Sequence, residues 1–423
     1  MIQKHWHEFE ERAKAFGHDL KALFRGEEIT GCHIIETPDA FRNFVAATPE
    51  QRKQRLEQFF TSPLRRRQRL PQGVHDRVEC YVFAGGTLQE ADFPKIHTHF
   101  PVSAHTLSVA EKRIGKNECW DVTASVTDPP AKTYTLVNVG RLILEEGAHV
   151  IVRGDVFLFL CQELIVHPAG KGSTEGFHIG ILSGQSVSSF QNELFPPIQG
   201  KPGLCGADGK SDYSRRTLLG PILNAEVHPA DLNGSDGQNG ENGLPGHSGA
   251  NGNLCYIAEI AIRELHGDLT VYTRAGDGED GTAGAGGGRG GDGGNGAQGC
   301  RHLSGILPSG NGGNGGNGGS GGNGGNGGCG GISSNVYLLV PPEAETRIRC
   351  KAFPSVGGKG GCGGPFGRGG KAGKGGTKNG DIFSGANGTD GVNGVCGKNG
   401  RDGKSREAAT VFINEKIVDT NLY

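Results

Sequence analysis

The chain is poor in the features that mark most chemistry. Among 423 residues there are one Met and two Trp. The eleven cysteines contain no CxxC pair, which removes the main support for a zinc ribbon or a thioredoxin-type redox site. No HExxH zinc motif and no phosphate-binding GxxxxGK[ST] loop occurs. The longest apolar stretch, 156–160, is far too short to span a bilayer. Residues 1–26 are charged and lack the apolar core of a signal peptide. The expectation is a soluble protein that reaches the outside of a cell, if it does, by lysis, a dedicated secretion machine or a particle. The net charge of −2 excludes bulk attraction to nucleic acid or to an anionic membrane. An odd cysteine count without a signal peptide favours buried reduced thiols over disulfides.

What is abundant is glycine, at 77 residues, and its distribution is uneven. Residues 1–199 hold 15 glycines and 200–423 hold the other 62. Past residue 200 the glycines recur every third position, in runs 200–209, 234–252, 278–299, 310–331, 358–376 and 385–403. Three residues per turn is the period of the polyproline II conformation, with a rise of about 3.1 Å per residue. Glycine at every third position leaves one side of such a helix bare. Two backbones then approach closely enough to exchange N–H and C=O bonds. The period therefore predicts a bundle of about six polyglycine II helices. Collagen needs proline in the other positions, and the runs hold only Pro202, Pro245 and Pro365. Calcium-binding nonapeptide rolls need an apolar member that is missing here. A disordered Gly/Asn linker has no reason to keep register in threes.

The fine pattern orders the bundle. In 310–331 two of every three residues are glycine, so two faces are bare and the run belongs inside. Runs 234–252 and 385–403 have one bare face and belong at the edges. Short connectors make 278–299 with 310–331, and 358–376 with 385–403, antiparallel pairs. The longer connectors 210–233, 253–277 and 332–357 carry alternating strand formers and read as the foundation of the bundle.

The first 200 residues differ. Trp6, Phe9, Phe16, Leu20 and Leu23 recur at helical spacing over 4–25. A second helix is predicted from Thr48 as N-cap, with Pro49 at its first position, to about Phe60. From 77 to 199 short apolar strands recur every seven or eight residues. Glycines 140, 147 and 154 lie between them. The fold class is mainly β with a small helical N-terminus: a β-solenoid with about three strands per turn, or a sandwich, carrying the glycine bundle. Three parts follow: helical 1–76, all-β 77–199, and the bundle with its strand connectors, 200–423.

Candidate sites are few. His97-Thr98-His99 on a strand would put two imidazoles on one face, without a third ligand at fixed spacing, so ordinary surface histidines are the plainer reading. The same holds for His5 and His7 beside Trp6. Arg65, Arg66, Arg67 and Arg69 form a basic cluster that reads as a solvated loop or a processing site. Two bundle tips offer contacts: Arg301, His302, Leu303, Ile306 and Leu307 in one, and Lys378, Asn379, Asp381, Ile382 and Phe383 in the other. The alternative is that these residues merely cap the bundle. Nothing pairs a nucleophile with a base, and no enzyme activity, metal or cofactor is expected.

The triplet runs, from 200 to 403, resemble two polyglycine II systems. One is the snow-flea type of antifreeze protein. The other is the adhesin at the tip of certain phage long tail fibres, in which an attachment part precedes a glycine bundle whose loops bind the host. The order of parts here is similar to the adhesin. The resemblance implies a non-catalytic scaffold that presents a recognition surface to a cell-surface protein or glycan. It carries no binding residue across. A lysis-released toxin, a self-assembling structural protein and an ice-binding protein are the other classes. Lys359, Lys371, Lys374, Lys398 and Arg401 speak against the last.

Overall fold

A computed structural model describes residues 6–59, 74–123, 134–168, 176–184, 197–211, 214–223, 228–303, 305–377, 383–418 and 420. The basic cluster at 65–69 lies outside these residues. With 28% strand against 16% helix, the chain is mainly β.

Two sheets carry the core. The larger has the order β1-β2-β4-β6-β10-β14-β16-β17, and the smaller β15-β11-β7-β5-β3. The larger sheet comprises β1 (Glu28–Ile35), β2 (Val102–Ile114), β4 (Tyr134–Leu144), β6 (Val156–Val166), β10 (Ala258–His266), β14 (Val336–Leu339), β16 (Val411–Ile413) and β17 (Lys416–Ile417). The smaller comprises β3 (Cys119–Asp121), β5 (His149–Arg153), β7 (Ile179–Leu182), β11 (Leu269–Arg274) and β15 (Ile348–Phe353). From β2 to β7 successive strands alternate between the two sheets, and β10, β11, β14, β15 and β16 continue the alternation. All of these pair in parallel with the strand one step before. Only β1 and β17 run antiparallel, and they close the two edges.

Each step thus holds two strands, where the apolar spacing had suggested about three. The difference lies in 156–166. The triplets Phe157–Phe159 and Leu164–Val166 belong to one eleven-residue strand, β6. That strand reads as continuously apolar because both of its faces are covered. Its Phe157, Phe159 and Cys161 meet Val150, Ile181 and Val271 of the smaller sheet, while Leu158 and Leu160 meet a helical layer. In β15, IRCKAF, burial alternates residue by residue, and its outer face is open.

The helical layer contains α1 (His7–Ala15), α2 (Leu20–Phe24), α3 (Pro38–Arg42), α4 (Pro49–Phe59), α5 (Val74–Ala84) and α6 (Phe93–His99). The 4–25 periodicity resolves into two helices, because Gly17 takes φ +79° between them. α4 begins as its capping residues dictate. Thr48 Oγ1 accepts from Gln51 N, and Gln51 Oε1 accepts from Thr48 N. Helix continues past residue 76, to His99. His97 and His99 therefore stand two apart on α6, on different faces, and not on one face of a strand.

One buried ion cluster ties this layer to the sheet. Arg55 of α4 is fully buried, with Nη1 2.6 Å from Glu259 Oε2 and Nε 2.8 Å from Glu415 Oε2. Its guanidinium also lies 4.2 Å above the Tyr337 ring. The eleven cysteines are all unpaired. No helix among the described residues is long and apolar enough to cross a membrane.

Candidate functional site

The glycine runs carry neither helix nor strand hydrogen bonds of their own. None of their glycines has a positive φ. Six extended segments, 198–209, 234–252, 276–297, 310–331, 356–376 and 385–404, instead bond to one another. The first, third and fifth run parallel as one layer: Gly203 N donates to Arg289 O, and Gly290 N to Arg368 O. The second, fourth and sixth form the other layer: Gly240 N donates to Asn317 O, and Gly318 N to Val392 O. Segments consecutive in sequence lie across the layers and run antiparallel, as in Gly316 N to Gly291 O and Gly391 N to Gly370 O.

Every N–H in a typical triplet of the fourth segment has a partner. Gly313 N donates to Gly294 O of the third segment, and Gly315 N to Thr389 O of the sixth. Asn314 N donates to Asp236 Oδ1 of the second. Asn314 Oδ1 in turn accepts from Thr389 N. The side chain two positions out of three is dispensable, but the third must accept a bond. That is why Asn, Asp and Ser fill this column, in Asn233, Asp236, Asn239, Asn242, Ser248 and Asn251, and again in the fourth segment. Asn317→Ala frees Val392 N, which water then reaches. The expected cost is about 1 kcal/mol, read as a shift in urea midpoint.

The fourth segment is interior, as its two bare faces require, and the third shares that place. Both touch segments in their own layer and in the facing one. The sixth segment lies at an edge. The first is short and covers only part of the third. Where it covers, the third presents Gly288, Gly291 and Gly294 to it and to the second segment. Where it does not, Thr282 Oγ1 and Glu279 Oε2 accept from His247 N and Ala250 N of the second segment.

Antiparallel alternation sends successive connectors to opposite ends. Connectors 253–277 and 332–357 supply β10, β11, β14 and β15 and root the bundle in the sheets. Connector 210–233 does not belong with them. It lies at the far end, beside 298–309 and 377–384. Its hairpin, β8 (Ser214–Thr217) and β9 (Gly220–Leu223), adjoins a second hairpin, β12 (Cys300–His302) and β13 (Gly305–Leu307). Gly220 lies against Leu303.

This far tip is where large apolar side chains are exposed. Relative exposure is 106% at Leu218, 86% at Leu219, 64% at Leu303, 54% at Ile306 and 89% at Phe383. Of the contacts expected from sequence, Leu303, Ile306 and Phe383 hold that position. His302 and Leu307 do not. Leu307 is buried with Leu232 and Ala297 and caps the bundle, and His302 is buried with Cys300 Sγ 2.6 Å from its Nε2. Arg301 is exposed and has interaction partners. Lys378, Asn379, Asp381 and Ile382 lie outside the described residues. Leu218 and Leu219 were missed because 210–233 has the length and strand formers of a foundation connector. Parity was the signal that places it: the first, third and fifth turns of an antiparallel array share one end.

Elsewhere, Glu163, Glu264 and His266 bring three ligand atoms within 4.8 Å of one another. Arg141 already holds Glu163 at 3.0 Å, so a cation there would have to displace a guanidinium. Comparison of the chain with protein-family models, with curated proteins and with solved structures gives no match.

Proposed function

We propose that the chain is a non-catalytic binding protein of the adhesin type. In this reading the alternating sheets are a β-solenoid with two strands per turn. The six glycine segments are polyglycine II helices rooted in it, and the far tip meets a protein or glycan of a cell surface. Regular N–H to C=O bonding between segments with no positive φ supports the polyglycine II assignment. The single observation that carries the function is the gathering of Leu218, Leu219, Leu303, Ile306 and Phe383 at one end of a rigid stalk. Contiguous exposed apolar surface on a monomer marks interaction sites. Its position farthest from the sheets, on three separate turns, is what display requires.

The test is cell binding by the labelled full chain. Leu218→Ser combined with Leu219→Ser and Phe383→Ser should reduce binding about tenfold or more, because apolar anchors dominate such interfaces. All three side chains are exposed, so hydrogen exchange across 234–403 should be unchanged. Retained binding in this variant would sink the tip as the recognition surface. Loss of a dimer on size exclusion, without any cell binding, would point to self-assembly through the same tip.

A further inference from the structure

A pocket of about 570 Å3 lies between the helical layer and the first row of the larger sheet. Phe41 of α3, Phe83 of α5 and Phe100 form its roof. Val156 of β6 and Ile257 form its floor. Protein interiors leave few voids larger than a water molecule, and the same two layers pack closely elsewhere, so this gap is an exception to its surroundings. Its size and its mostly aromatic walls are those of a small-molecule site.

The polar groups converge at one side. Tyr134 hydroxyl lies 2.7 Å from His99 Nε2, which fixes that ring. Tyr256 is half-buried, and its hydroxyl has no hydrogen-bond partner among the described residues. Burial pushes both phenols up, with the carboxylate of Glu79 adding to the effect. Both hydroxyls are therefore protonated and able to donate. Asp155 acts on Tyr256 in the same direction. No Lys or Arg lines the pocket among the described residues. A carboxylate or phosphate ligand would enter without a counter-charge and near two carboxylates.

We propose that this pocket binds a small, uncharged, largely apolar molecule carrying one hydrogen-bonding oxygen. The oxygen accepts from Tyr256, while the apolar body lies between Phe41, Phe83 and Val156. The site is independent of the tip, at the opposite end of the glycine bundle.

The experiment is calorimetric titration of the full chain with 2-naphthol, and with 2-naphthoate as its anionic counterpart. Saturable binding of 2-naphthol at one site is expected, with 2-naphthoate weaker by about tenfold or more, given the desolvation of an unpaired charge. Tyr256→Phe keeps the ring and removes the donor, and should weaken 2-naphthol about fivefold. Val156→Trp fills the floor and should abolish binding. The serine variant of the tip should bind 2-naphthol as the native chain does, so failure here and failure of the tip reading are separable. Absence of saturable 2-naphthol binding would overturn the proposal. So would an affinity unchanged in both pocket variants, and equal binding of the anion would overturn the ligand class.

Discussion

Replacing Gly316 by alanine is expected to destabilise the bundle by about 3 kcal/mol, at the upper end of overpacking costs. A Cβ there would stand 2.0 Å from Gln238 O and 2.4 Å from its carbonyl carbon. Neither atom can step aside. Gly240 N is held by Asn317 O, and Gln238 N by Leu204 O, so the obstacle is a backbone fixed from both directions. The adjoining Gly315 faces the other way, where its Cβ would stand 2.2 Å from Gly370 O. Whole segments must part to admit one methyl group. Alanine also restricts the unfolded chain, which offsets about 0.4–1 kcal/mol. The net remains strongly unfavourable. Hydrogen exchange should rise across 234–246 and 310–322, while β6 and β10 keep their protection. A loss under about 1 kcal/mol, no larger than that of Asn317→Ala, would mean that the glycine segments are not in contact.

The second large effect is expected at Arg55. Arg55→Met should cost about 3–5 kcal/mol, the usual range for breaking a buried ion pair from one side. It leaves Glu259 and Glu415 buried together with no cation between them. Glu415 sits in the turn between β16 and β17 at φ +65°, a conformation that a glutamate adopts only when something holds it. Arg55 is that something. One guanidinium shared by two carboxylates still leaves a negative charge uncompensated. Burial accordingly pushes the Glu415 carboxyl above the usual glutamate value, although Arg55 pulls it down. Its folded value thus exceeds its unfolded value. The stability it contributes is complete below the ordinary glutamate range and is lost as pH rises through the raised value. Glu415→Gln should remove that component, so the difference in urea midpoint between native chain and variant should vary with pH across the mildly acidic range. A constant difference would show that Glu415 does not titrate above its usual range.

Much of the bundle was legible in the residues. A period of three in glycine calls for backbones in contact, since a missing Cβ at regular spacing has no other use at that density. The doubled glycines of 310–331 call for neighbours on two sides, and the structure places that segment between layers. Even the extent of the first segment is written into the third, whose Glu279 and Thr282 give way to Gly288, Gly291 and Gly294 where 198–209 lies alongside. The Asn and Asp column was visible as a pattern, but its task was not. Which N–H each side chain receives depends on the stagger between segments some 75 residues apart.

Local sequence determined the elements themselves: the period-three segments, the capping box at Thr48, the break at Gly17, the alternating burial of β15. These depend on neighbours within a few residues, where backbone sterics and hydrogen-bonding capacity leave little choice. Tertiary structure alone decided what meets what. It merged two apolar triplets into β6, because strand length depends on the partner strand that pairs with it. It put His97 and His99 on a helix, because 93–99 packs under the sheet rather than within it. It brought Leu218 and Leu219 to the same end as Leu303 and Phe383, because that adjacency follows from the direction of six segments and not from any one of them. Contacts between residues far apart in the chain are set by the packing of finished elements, and no local propensity encodes them.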